Sequence, residues 1–224
     1  GILAENCYRA SIENNIFNMP SSGSNYIIGL FLNNFTIGGG IEASGSGPEV
    51  ETPYIVNIVN NIFNNGTASF IAANYTTNFI PFNIFRNTFN YASSVNMYLL
   101  KAGGSVKNNN FTSMSVPNSV HLFNSNTDFY NNVIASNGVS LQLSGYSYPN
   151  MQPLRTSGSL KWNGGKNALS SISGDNVHLN YSGNLFTDYG HNSFLAAAEN
   201  YHIYGWIDSS VHRYFTRENC WFNT

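Results

Sequence analysis

Charge is what this sequence has least of. Asp, Glu, Lys and Arg make up 9% of its 224 residues, and the formal net charge is −2. Phosphate recognition needs a basic stripe, so a nucleic-acid partner is not indicated. No apolar run reaches the roughly 18 residues that a membrane-spanning helix needs. Carboxylates are thinly spread, with 11 in all and none between residues 52 and 127. The one close grouping, Glu42, Glu49 and Glu51, reads as a solvated loop. Cysteine is nearly absent: Cys7 and Cys220 stand at opposite ends. Two thiols do not define a redox compartment, and at the two ends of a rod they would lie too far apart to bridge. The sequence opens on Gly1-Ile2-Leu3-Ala4 and contains no basic, then apolar, then small-residue leader, so a removed leader or a cut from a longer chain is expected.

Asparagine is what the sequence has in excess, with 37 residues. Aromatics are 15%, which separates the chain from disordered polar tracts, since those lack aromatics. Asn is a poor helix former because its side chain competes for nearby backbone groups. It tolerates the left-handed αL conformation and suits tight turns. Abundant Asn mixed with Phe, Tyr, Ile and Val implies many short strands joined by sharp bends.

One pattern recurs. Ile12-Glu13-Asn14-Asn15-Ile16-Phe17 returns as Ile58-Val59-Asn60-Asn61-Ile62-Phe63 and as Ile84-Phe85-Arg86-Asn87-Thr88-Phe89. It returns again as Val106-Lys107-Asn108-Asn109-Asn110-Phe111 and Phe129-Tyr130-Asn131-Asn132-Val133-Ile134. The leading apolar residue, the second Asn and the closing apolar residue all step by 46, 26, 22 and 23. The step of 46 reads as two coils, with a degenerate copy near Asn34 and an insertion at 38–53. A second strand family alternates with the first: Tyr26–Leu32, Ser69–Ala73, Asn96–Leu100, Val120–Phe123 and Val139–Leu143. Its later copies are Val177–Tyr181 and Tyr201–Tyr204. The segments are too short, and too rich in β-branched and aromatic residues, for helical repeats.

Stacking follows from the physics. A single coil of about 23 residues cannot bury its apolar side, so neighbours complete the core at a strand spacing of about 4.8 Å. The spacing predicts an all-β, right-handed, single-stranded parallel β-helix of about nine or ten coils, spanning 1–224 as one domain. Residues 38–53 and 146–166 are expected to be insertions or irregular coils. The Asn column is expected at the bend between two strands, in αL, with its amides bonded up and down the stack.

These repeats resemble the right-handed parallel β-helix proteins of the pectin-lyase-like superfamily. Glu5-Asn6-Cys7-Tyr8 and Glu218-Asn219-Cys220-Trp221 look like strand ends of that group. Gly190-His191-Asn192-Ser193-Phe194 and Tyr201-His202-Ile203-Tyr204 are similar to the last coils of its secreted, surface-displayed bacterial members. The resemblance implies a secreted or cell-surface location. It leaves function open, because the group holds lyases, hydrolases, tailspikes, adhesins and inert passengers. Asn126-Thr127-Asp128 matches the first acidic motif of polygalacturonases, but no Asp-Asp, Gly-His-Gly or Arg-x-Lys follows. Glycoside hydrolysis generally needs two carboxylates flanking the bond.

Four of the five histidines fall in the last third: His178, His191, His202 and His212. His178 and His202 are 24 residues apart, as are Asp175 and Glu199, and Asp188 and His212. One-coil stacking would bring each pair to about 5 Å, which could make a metal site or an acid–base pair, with Asp175, His178, Glu199 and His202 as the catalytic candidates. An outward polar ladder is the plainer account of the same spacing. Tyr146, Tyr148 and Trp162 are candidates for stacking on sugars, whereas Trp206 and Trp221 read as core or cap residues. No cofactor is implied; calcium could enter only with a lyase chemistry. Sequons such as Asn65-Gly66-Thr67 and Asn110-Phe111-Thr112 are expected by chance in so Asn-rich a chain. With no room for a capping helix at either end, the chain reads as a segment of a longer protein or a unit stacking end to end.

The first expectation is thus an extracellular structural or adhesive module: a rigid spacer, or a surface or carbohydrate-binding rod. Its partners would be polysaccharide, surface proteins or further coils. Alternatives are a polysaccharide lyase or glycoside hydrolase, and a self-assembling filament subunit.

Overall fold

The structure is a computed structural model. It describes residues 1–5, 10–21, 28–33, 56–73, 80–100, 102–113, 118–123 and 125–144, then the backbone of eight further strands between 161 and 222. Strands come in threes. The first coil is β1 (Ile2–Glu5), β2 (Ala10–Glu13) and β3 (Ile16–Asn18); the second is β4 (Ile28–Asn33), β5 (Val56–Val59) and β6 (Ile62–Asn64). Next come β7 (Ala68–Ala73), β8 (Ile80–Phe85), β9 (Thr88–Asn90), then β10 (Val95–Leu100), β11 (Ala102–Lys107), β12 (Asn110–Ser113). They are followed by β13 (Asn118–Phe123), β14 (Asn126–Tyr130), β15 (Val133–Ser136), then β16 (Val139–Ser144), β17 (Lys161–Gly165), β18 (Ala168–Ser171). The last are β19 (Val177–Asn180), β20 (Leu185–Asp188), β21 (Ser193–Ala197), β22 (Ile203–Gly205), β23 (Arg213–Phe215) and β24 (Trp221–Phe222).

Every third strand pairs in parallel with its counterpart in the next coil. The result is a parallel β-solenoid with, among the described residues, three sheets of eight strands. The first sheet starts at β1, the second at β2 and the third at β3. The expected second strand family is the first sheet. The expected first family supplies the second and third sheets, one strand on each side of the expected bend at its Asn.

That bend is built by two residues with separate tasks. The first takes the left-handed conformation: Asn14 (φ 58°), Asn60 (54°), Arg86 (56°), Asn108 (59°) and Asn131 (52°). The second is the ladder Asn, and it does not occupy αL as the sequence suggested. Its work is hydrogen bonding. Asn61, Asn87, Asn109 and Asn132 are at most 2% exposed. The Oδ1 of Asn87 accepts from the backbone N–H of Asn61 at 2.9 Å and from its amide at 3.1 Å. The Nδ2 of Asn87 donates to the Ile58 carbonyl at 2.7 Å and to Asn109 Oδ1 at 3.0 Å. The same connections tie Asn15 to Asn61 and Asn109 to Asn132. A buried amide normally carries a desolvation penalty; here both its ends are satisfied by neighbouring coils.

Inside, each sheet contributes apolar columns. Phe17, Phe63, Phe89 and Phe111 stack with ring centroids 4.6, 4.9 and 4.7 Å apart. Ile12, Ile58, Ile84, Val106 and Phe129 stand in register in the second sheet, and Leu30, Phe70, Met97, Val120 and Leu141 in the first. These residues form one continuous core.

The step of 46 residues is a single coil. Ile12 pairs directly with Ile58, Phe17 with Phe63, and Asn15 bonds to Asn61. No degenerate coil near Asn34 intervenes, because two coils cannot fit where adjacent strands hydrogen-bond. Among the described residues each sheet has eight strands.

Candidate functional site

Strand alternation in the first sheet turns one residue in two outward. Leu30, Leu32, Phe70, Ala72, Met97, Leu99, Val120 and Leu122 point into the core. Between them, Phe31, Ile71, Tyr98, His121 and Gln142 form a row in strict register across β4, β7, β10, β13 and β16. All five are half-buried rather than exposed. Beside this row stand Leu100 and Phe123, themselves paired across β10 and β13; Leu100 is only 8% exposed.

The centre of this face is aromatic. The His121 ring meets Tyr98 edge to face at 5.0 Å and Phe123 at 6.0 Å. Loss of water around the imidazole lowers its pKa from 6.5 to about 4. At neutral pH it is therefore an uncharged ring with one donor and one acceptor nitrogen. Tyr98 adds a phenol and Gln142 a carboxamide. The row offers ring faces and neutral hydrogen-bonding edges along the solenoid axis, one per coil.

Residues 34–55 join β4 to β5, and residues 145–160 join β16 to β17, so both long connections leave from the corner between the first and second sheets. In two of the three coils between, that corner is short: β10 reaches β11 through Lys101 alone, and β13 reaches β14 through residues 124–125, whereas residues 74–79 join β7 to β8. Ser125 braces it, its hydroxyl accepting from the Ala102 N–H at 3.0 Å and donating to the Leu99 carbonyl at 3.2 Å.

The residues singled out from sequence fare differently. Tyr146, Tyr148, Asp175, Glu199, His202 and His212 lie outside the described residues, as do Cys7, Cys220 and the Glu42–Glu51 group. His178 lies in β19, in register with Gln142 before it and Tyr204 after it. The coil after it sets Tyr204 at its register position, and the expected partner His202 lies outside the described residues. Asp188 pairs with Gly164 of the coil before. Trp162 takes a register position between Thr127 and Phe186; Thr127 is buried. Lys161–Gly165, expected within an irregular stretch, form β17.

Sequence reasoning passed over His121 because it sought histidines in pairs. The signal was present in the alternation of Met97-Tyr98-Leu99 and Val120-His121-Leu122, one coil apart. Among the described residues, no three His, Cys, Asp or Glu side chains gather as metal ligands would. No helix among them is long and apolar enough to cross a membrane. No protein-family model matches the chain, and no curated protein or solved structure matches it either.

Proposed function

We propose that this chain is a rigid extracellular binding rod. Its ladder holds the coils in fixed register, and the outward row of the first sheet binds neutral polysaccharide. The observation that supports this reading is the Phe31, Ile71, Tyr98, His121 and Gln142 row, with Leu100 and Phe123 beside it. Sugars have apolar faces that stack on rings and hydroxyl edges that need neutral partners, and this row supplies both. A ligand extended along the axis would meet one such group per coil, about every 4.8 Å. Placement at a cell surface, right-handed winding and kinship with the pectin-lyase-like proteins belong to the same proposal. The right hand has the general preference of parallel crossover connections behind it.

The test is incubation with a panel of neutral and uronic-acid polysaccharides, with and without calcium. Reducing ends, ultraviolet-absorbing unsaturated products and bound protein are all followed. The proposal expects retention on at least one neutral polymer without product. Product that disappears in a His178→Ala variant would overturn it and install the catalytic reading of residues 175–202.

A further inference from the structure

The third sheet has an outer face of a different kind. Successive rings of its inner Phe stack lie within 2°, 3° and 4° of parallel. Sheets ordinarily twist by roughly 20° per strand, and flat ones are held by stacked side chains or side-chain ladders. Both devices are present here. The Phe stack lies inside, and outside, Asn64 donates to Asn18 at 2.8 Å and Asn90 to Asn64 at 2.9 Å. Next to that amide column runs another of Ile16, Ile62, Thr88, Asn110 and Val133. Its apolar members are strongly exposed: Ile16 64%, Ile62 37% and Val133 49%.

We propose that this face, across β3, β6, β9, β12 and β15, binds the surface of ice. Three features select that occupant. Neither outward column carries a charged residue from β3 to β15, so the complementary surface is neutral. The face carries both devices that hold a sheet flat, and it is periodic in two directions, 4.6 to 4.9 Å along the axis, as in its inner Phe stack, and about 6.6 Å between alternate residues of a strand. The axial repeat is close to an oxygen spacing on hexagonal ice. Finally, each Asn amide has two N–H groups and two lone pairs, and the ladder uses one of each at Asn64, one lone pair at Asn18 and one N–H at Asn90. A membrane or a second copy pressed on the face would strip water from the remainder, which is costly. Lattice water satisfies them, while the Ile and Val side chains between order the water that bridges the columns.

The test is inhibition of ice recrystallisation by the full chain at micromolar concentration, compared with a non-binding protein of equal size. The proposal expects inhibition, reduced at least tenfold in an Ile62→Lys/Val133→Lys variant whose circular dichroism and melting match the parent. Should that pair fail to fold, Asn110→Lys on the same face replaces it. No inhibition by the folded chain overturns the proposal. So does inhibition that survives either folded variant.

Discussion

Replacing Asn87 by Ala removes the centre of the ladder. The backbone N–H of Asn61, buried and bonded to Asn87 Oδ1 at 2.9 Å, is left without that acceptor. An orphaned buried donor costs about 1–3 kcal/mol. Three further hydrogen bonds go with it: from Asn61 Nδ2, to the Ile58 carbonyl and to Asn109 Oδ1. Each contributes about 0.5–1.5 kcal/mol net. Partial overlap among groups that retain other partners brings the expected loss to about 3–5 kcal/mol. Urea unfolding of the full chain, followed by far-ultraviolet circular dichroism, reads it as a shifted midpoint. Asn15→Ala is the comparison. Asn15 is exposed and carries only the Nδ2 bonds to Glu13 and Asn61, so its loss is expected below about 1 kcal/mol. Equal effects at positions 15 and 87, or a loss under about 1 kcal/mol at 87, would refute the view that the buried ladder holds the coils together.

Three further outcomes are expected. Phe89→Ala, in the middle of the ring stack and fully buried, should cost about 3–5 kcal/mol in the same urea assay; a loss below about 1 kcal/mol would contradict the packing described. Gly104→Ala should cost about 3 kcal/mol or more, because Gly104 has φ +85° and a Cβ there would sit 2.3 Å from the Phe82 carbonyl oxygen; a stable, soluble variant would contradict the close approach of β11 to β8. The His121 imidazole takes a proton near pH 6.5 when unfolded and near 4 when folded, so the unfolded chain binds more protons in between. Its contribution is present above about pH 6.5 and lost as pH falls towards 4, by at most about 3 kcal/mol. A His121→Phe variant should flatten that part of the stability profile, and an unchanged slope would reject burial as the cause.

Much of the fold was legible because its physics is local and repeated. A ladder Asn must follow a residue able to adopt αL, and the Asn-Asn pairs at 14–15, 60–61, 108–109 and 131–132 write both requirements into adjacent letters. Arg86-Asn87 separates them, showing that αL at the first position is obligatory while Asn there is not. The third sheet was harder to see, since a two-residue bend hardly interrupts an apolar pattern. The step of 46 misled because sequence spacing cannot distinguish a missing coil from a long connection; only pairing of Ile12 with Ile58 decides it. The candidate site was less legible than the fold. Its residues, Phe31, Ile71, Tyr98, His121 and Gln142, share no residue type, only a register. Irregular steps between coils hide such a row until each strand is aligned.

The binding reading is tested most directly by affinity electrophoresis of the chain and its Tyr98→Ala variant through gels containing neutral polysaccharides. Tyr98 is half-buried and outside the core, so the variant should fold. The account predicts that at least one polymer retards the parent chain and that the variant's affinity for it falls at least tenfold. Equal retardation of both proteins, or retardation of neither by any polymer, would contradict it.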